Sequence, residues 1–161
     1  MILDSYEDKM LMAFVQKKKK FEWYKKIFYV YDNKGKSGTF SCMSFWATIA
    51  GPFYLFYRKA YLYGVIYCIL IFAISSSEIL DKISFDIYPL IYMLNGIILP
   101  HLIYQKYKKS KEKIEKKIKE EDRRIKAMQK LGGVSNIMLI IGIIFNVLLP
   151  LLIIAAKINK L

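Results

Sequence analysis

Three long stretches of the chain carry no charged residue, and lysines crowd between them. Ala60–Ser77, Ile87–Gln105 and Leu131–Ala156 run 18, 19 and 26 residues without Asp, Glu, Lys or Arg. A helix needs about 20 mostly apolar residues to cross a bilayer, so each stretch reads as a transmembrane helix. Of the 161 residues, 55% are hydrophobic and 16% aromatic, and the formal net charge is +13. That apolar share excludes a disordered chain, and the two isolated cysteines, Cys42 and Cys68, exclude a disulfide framework. The expectation is an all-α integral membrane protein: about three transmembrane helices, one re-entrant or interfacial hairpin, and charged amphipathic cytoplasmic helices.

Charge orients these elements. Residues 1–44 hold nine Lys against five acids (net +4), and residues 106–130 hold twelve Lys and Arg against five acids (net +7). The short connection between the first two stretches carries Glu78, Asp81, Lys82 and Asp86, net −2. Positive flanks stay on the cytoplasmic side, so the N-terminus and residues 106–130 lie inside and the acidic loop outside. A fourth uncharged stretch, Ser37–Tyr57, is interrupted by Gly51-Pro52. A full span there would put Arg58 and Lys59 outside, against the orientation rule, so the segment reads as re-entrant or interfacial. A fourth span is the alternative. The segments are then residues 1–36 (basic N-terminal helix), 37–59 (re-entrant segment), 60–105 (two spans), 106–131 (charged cytoplasmic helix) and 132–161 (third span and tail).

Residues 5–31 predict one amphipathic helix, capped by Ser5 with Asp8 three residues on. Leu11, Phe14, Phe21, Tyr24, Phe28 and Tyr31 follow helical spacing, while Lys17, Lys18, Lys19 and Lys20 supply cations. With Trp23, this helix suits a surface of anionic lipid headgroups. The competing reading is a solvated helix whose aromatics pack on the protein itself. In residues 106–130, Tyr107, Ile114, Ile118, Ile125 and Met128 form a narrow stripe, either a coiled-coil seam or a face packed on the N-terminal helix. Leu131-Gly132-Gly133 ends that helix, and Ser135 or Asn136 caps the next. The lysines carry no nucleic-acid motif, and the orientation rule accounts for them, so no nucleic-acid partner is expected.

Groups for catalysis are scarce. His101 is the only histidine, which excludes a multi-histidine metal centre within one chain. An ionisable residue inside a span is a functional candidate; the plainer reading is a neutral imidazole bonded to a carbonyl. Asn95 suits a hydrogen bond between helices, beside Gly96 where another helix approaches. No phosphate loop, nucleophile elbow or carboxylate pair is present. The expectation is no catalytic residue, no metal and no cofactor: a non-enzymatic protein.

The stretch SFWATIAGPFYLFYRKAYLYG, Ser44–Gly64, is more specific than composition. Through Trp46, Ala47, Gly51, Pro52, Phe53, Tyr57, Arg58, Lys59, Tyr61 and Gly64 it resembles the signature of the bacterial DUF (twenty-six twenty-eight) family of small inner-membrane proteins of unknown function. Tyr54 and Ala60 stand where that signature usually has Trp and Met. The resemblance implies a multi-pass protein of the bacterial inner membrane with no established activity. Arg58 and Lys59 suit freed carbonyls or lipid phosphates. The functional expectation is an accessory or scaffold protein that binds anionic headgroups and another membrane protein or itself. The alternative is a small homo-oligomeric transporter, channel or holin-like pore.

Overall fold

A computed structural model describes residues 5–33, 43–75 and 88–144. Among them are eight helices and no strand: α1 (Tyr6–Val15), α2 (Lys18–Asp32), α3 (Phe45–Ala50), α4 (Pro52–Tyr57), α5 (Tyr61–Ser75), α6 (Tyr88–Lys117), α7 (Glu121–Leu131) and α8 (Asn136–Ile143). The all-α expectation matches this architecture.

The transmembrane expectation does not. No helix among the described residues is long and apolar enough to cross a membrane, which overturns both the three-span fold and the multi-pass inner-membrane location. The physical reasons differ by element. The described 15 residues of α5 come to about 22 Å at 1.5 Å per residue, and residues 76 and 77 of that stretch lie outside the described residues. The apolar half of α6 runs without a break into its lysine-rich half and holds Asn95, Pro100 and His101. It also buries Leu99, Ile103 and Tyr104 in the protein core. Of the third uncharged stretch, α8 covers Asn136–Ile143 after the break at Gly132-Gly133, and residues 145–156 lie outside the described residues. A homo-oligomeric pore needs spanning elements, which the described helices do not supply. The acidic connection at 78–86 and the tail beyond 144 lie outside the described residues.

Residues 5–31 form two helices rather than one. Ser5 Oγ accepts from the Asp8 N–H at 3.1 Å and opens α1. The helix stops at Gln16, which turns left-handed (φ 54°) while its N–H bonds the Met12 carbonyl. The turn lets α1 lie on α7 while α2 lies on α6. Phe21, Tyr24, Ile27 and Phe28, one face of α2, are buried. Phe28 meets Tyr104 and Tyr107 of α6 at ring separations of 5.3 and 5.2 Å. Phe14 of α1 meets Tyr107 at 5.2 Å. This aromatic seam is the core, and Ile114 and Met128 of the charged stripe join it. The stripe therefore packs on the protein's own N-terminal helices.

The charged segment also divides. α6 ends at Lys117, α7 begins at Glu121, and Arg124 Nε secures the joint by donating to the Ile118 carbonyl at 2.6 Å. Lys9–Glu121 (3.2 Å) and Lys111–Glu7 tie α1 to α7 and α6. Such exposed pairs are each worth about 0–1 kcal/mol, so apolar burial holds the helices together.

Candidate functional site

Gly51-Pro52 builds the site. Ser44 Oγ caps α3 by accepting from the Ala47 N–H at 3.3 Å, and seven residues after Ser44, Gly51 (φ 51°, ψ −136°) breaks the helix. Pro52, whose ring presets the helical φ, starts α4 at its first position. Gly96 allows the α3 end to close on α6: a Cβ there would lie 2.4 Å from Thr48 Oγ1. The Ser44 N–H bonds the Gly96 carbonyl at 2.9 Å.

The end of α4 is a Schellman turn. Lys59 holds the left-handed position (φ 55°), its N–H bonds the Phe56 carbonyl at 2.9 Å, and the Ala60 N–H bonds the Leu55 carbonyl at 2.8 Å. This turn drives Arg58 inward, where it is only 3% exposed. Arg58 Nη1 donates to the Val15 carbonyl at the end of α1, at 3.3 Å. The guanidinium stands over the rings of Tyr24 (4.9 Å) and Phe14 (5.7 Å). Nε and Nη2 are buried and have no hydrogen-bond partner, and no carboxylate among the described residues pairs with the side chain.

Arg58 lines a half-open cavity of about 700 Å³ between α2, α3, α4 and α8. Lys17, Lys20 and Trp23 of α2, Trp46 of α3 and Tyr57 of α4 line it too. Six of the sequence-derived candidates thus meet around one space. Tyr24 and Tyr54 share a 2.8 Å hydroxyl–hydroxyl bond on its wall. Burial, and then the neighbouring Tyr24, raises the Tyr54 pKa well above the ordinary tyrosine value, so Tyr54 stays a phenol.

The other candidates lie elsewhere. Lys18 and Lys19 are exposed beside the cavity without lining it. Lys59 serves the α4 turn. Gly64 admits the Phe56 ring, which a Cβ would meet at 2.9 Å, and Tyr61 packs on the same ring at 6.5 Å. Asn95 is buried on α6 and its Oδ1 accepts from the Tyr67 hydroxyl of α5. His101 lies on the outside of α6, edge-on to Tyr31 at 4.9 Å and with Nε2 3.3 Å from Gln105 Nε2. Partial burial lowers its pKa. Among the described residues no three His, Cys, Asp or Glu side chains gather to hold a metal.

Sequence reasoning missed Lys106. Its ammonium donates to three carbonyls, of Arg58 (3.1 Å), Lys59 (3.2 Å) and Leu131 (2.9 Å), from the ends of α4 and α7. Burial, then the charges of Arg58 and Lys59, bring its pKa down to about 8. The only sequence signal is its place as the first cation after an uncharged stretch.

No curated protein and no solved structure matches the chain. The family model described as "Protein of unknown function (DUF2628)" matches residues 8–108, well over half of the chain. That match contains most of α1, all of α2 to α5, the Gly51-Pro52 break, Arg58 and Lys106, while α8, the far wall of the cavity, lies beyond it. On this match the chain belongs to the DUF2628 family, whose function is unknown.

Proposed function

We propose that the chain is a non-enzymatic accessory protein. It attaches to anionic lipid headgroups through the start of α2 and to a protein partner, another chain or a second copy, through apolar helix faces. The observation that carries this reading is the placement of Lys17, Lys18, Lys19 and Lys20. All four are exposed, and none has a carboxylate in ion-pair range among the described residues. They occupy the N-cap and first turn of α2, where the helix dipole is already positive. A cation there loses stability by about 0.3–1 kcal/mol, so folding alone gives no reason for four. An external anion does, and each lysine near an anionic surface gains about 1 kcal/mol.

The protein-partner half of the reading is supported by α5. Leu62, Ile69 and Phe72 are 70%, 61% and 74% exposed on one helix. Contiguous apolar surface of this kind marks association sites.

The test is flotation of the full chain with vesicles, one set containing anionic lipid and one wholly zwitterionic. Binding is expected only to the anionic set, to weaken with added salt, and to be lost when Lys17, Lys18, Lys19 and Lys20 are all changed to Gln. Circular dichroism checks that the variant keeps its helices. Undiminished flotation of the folded variant would overturn the headgroup reading.

A further inference from the structure

We propose that the Arg58 cavity binds a single-chain lipid carrying a phosphomonoester head. The inference rests on the anionic-lipid reading above and assigns it a second site, in the half-open cavity.

The argument starts from the buried guanidinium. A charge withdrawn from water is costly unless it is paired and hydrogen-bonded, and here one nitrogen of three is bonded. The Tyr24 and Phe14 rings offset part of that cost through their electron-rich faces. Nε and Nη2 lie along one edge of the guanidinium, the edge that meets two oxygens of one anion side-on. Two buried, unpartnered donors along one edge are complementary to a carboxylate or a phosphate. Lys17 and Lys20 decide between them. The described lining contains these two ammonium groups with Arg58 and no acidic residue. Three cations suit a head with about two negative charges and three acceptor oxygens, which a phosphomonoester has and a carboxylate lacks.

The remaining wall specifies the tail. Trp46, Ile49, Phe53, Met138 and Leu139 present aromatic and aliphatic surface. About 700 Å³ falls within the range of cavities that enclose one small molecule. Methionine and leucine on α8 adapt to a flexible chain rather than to a rigid ring. A short polar head beside one end of such a space and an acyl chain along the rest use both kinds of lining.

The protein carries its own reporter, because its two tryptophans, Trp23 and Trp46, both line the cavity. The full chain is titrated with hexadecyl phosphate, hexadecanoate, hexadecanol and inorganic phosphate, each below its micelle concentration. Tryptophan fluorescence and calorimetry give the affinity. Hexadecyl phosphate is expected to bind one per chain, more tightly than hexadecanoate and at least tenfold more tightly than hexadecanol. Inorganic phosphate is expected to show no saturable binding. Each methylene removed from the chain should weaken binding about fourfold. Arg58→Met should weaken the phosphate at least tenfold, and Arg58→Lys should recover part of the loss.

Equal affinity for hexadecanol and hexadecyl phosphate, tighter binding of hexadecanoate, or no effect of Arg58→Met in a folded chain would overturn the proposal. Its failure is separable from that of the surface reading. Changing Lys18 and Lys19 alone to Gln should weaken vesicle flotation and leave the cavity titration unchanged. Flotation that persists without any saturable uptake of hexadecyl phosphate overturns the cavity and leaves the surface reading standing.

Discussion

Lys106 donates from its ammonium to the backbone carbonyl of Arg58 at 3.1 Å, so two cations share one helix end with no carboxylate between them. The Phe14 ring faces both, at 5.3 Å from Lys106 Nζ and 5.7 Å from the Arg58 guanidinium. Because Lys106 also holds the carbonyls of Lys59 and Leu131, one side chain joins the ends of α4 and α7 to α6. Cations favour helix C-termini, where the dipole is negative, and this gives Lys106 a reason to be inside. Arg58 has less reason: it bonds one carbonyl and leaves two donors open.

The titration of Lys106 predicts an unusual alkaline rise in stability. Its pKa is about 8 in the fold against 10.5 in an unfolded chain. Between those values the unfolded state holds a proton that the native state has released, so stability increases with pH. The penalty for burying the ammonium is present below about pH 8 and is relieved as pH climbs towards 10.5. Tyrosines act in the opposite direction. Burial raises the pKa values of Tyr6, Tyr54, Tyr67, Tyr104 and Tyr107 above the ordinary 10.0. The native state therefore keeps protons that the unfolded chain loses near pH 10, and stability falls there. Urea titrations should find a midpoint that rises from pH 8 to about pH 9 and declines above about pH 10. Lys106→Met should abolish the rise and keep the decline. A wild-type midpoint that is flat across pH 8–9 would remove the Lys106 assignment.

Arg58 predicts opposite effects on stability and binding. Replacing a buried, incompletely paired charge by an apolar side chain of similar length removes its desolvation penalty. Arg58→Met should therefore raise the unfolding free energy by about 1 kcal/mol, or about 3 °C in Tm for a chain of this size. The same substitution removes the head-binding group. Thermal melts of the free protein read the first effect. A Tm lowered by several degrees would mean that the rings and the Val15 carbonyl already satisfy the guanidinium.

Lys59 is on the turn rather than in the cavity, which gives a third prediction. A non-glycine residue in the left-handed region costs about 1–2 kcal/mol, and its φ of 55° is the value glycine adopts freely. Lys59→Gly should raise stability by about 1 kcal/mol and leave hexadecyl phosphate affinity within twofold. Weaker lipid uptake by a more stable protein would return Lys59 to the binding site.

The parts of this fold that the sequence exposes are those decided within a few residues. Ser5 and Ser135 are readable as caps because a hydroxyl three residues before a free N–H is a local geometry; both bonds form, at 3.1 and 3.4 Å. The break at Gly51-Pro52 is readable for the same reason. The span expectation fails because an uncharged run reports residue type and not what the residues face. Tyr104 is buried against Phe28 of α2, a contact between segments some seventy residues apart. The stop at Gln16 has no glycine or proline to announce it. Its reason is tertiary: the Gln16 amide donates to the Gln129 carbonyl, and the Gly133 N–H bonds the Phe14 carbonyl at 2.8 Å. Lys106 is hidden in the same way, since its three carbonyls come from the ends of two other helices, α4 and α7.

Two glycines separate steric from conformational need and supply the final prediction. A Cβ on Gly132 would lie 2.3 Å from the Phe14 carbonyl oxygen and 2.6 Å from its Cα, both backbone atoms that cannot rotate away. Gly132→Ala must therefore push α1 off α7, at a cost of about 3 kcal/mol. Gly51 has nothing within 4 Å of the built Cβ, but its φ of 51° with ψ −136° is a region open essentially to glycine alone. Gly51→Ala should cost about 1–3 kcal/mol through strain. Hydrogen exchange distinguishes the two. Gly132→Ala should speed exchange along Tyr6–Val15 because α1 loses its support, whereas Gly51→Ala should speed it around the α3–α4 junction and spare α1. Protection of α1 that is unchanged in a folded Gly132→Ala variant would contradict the close backbone approach on which the α1–α7 packing depends.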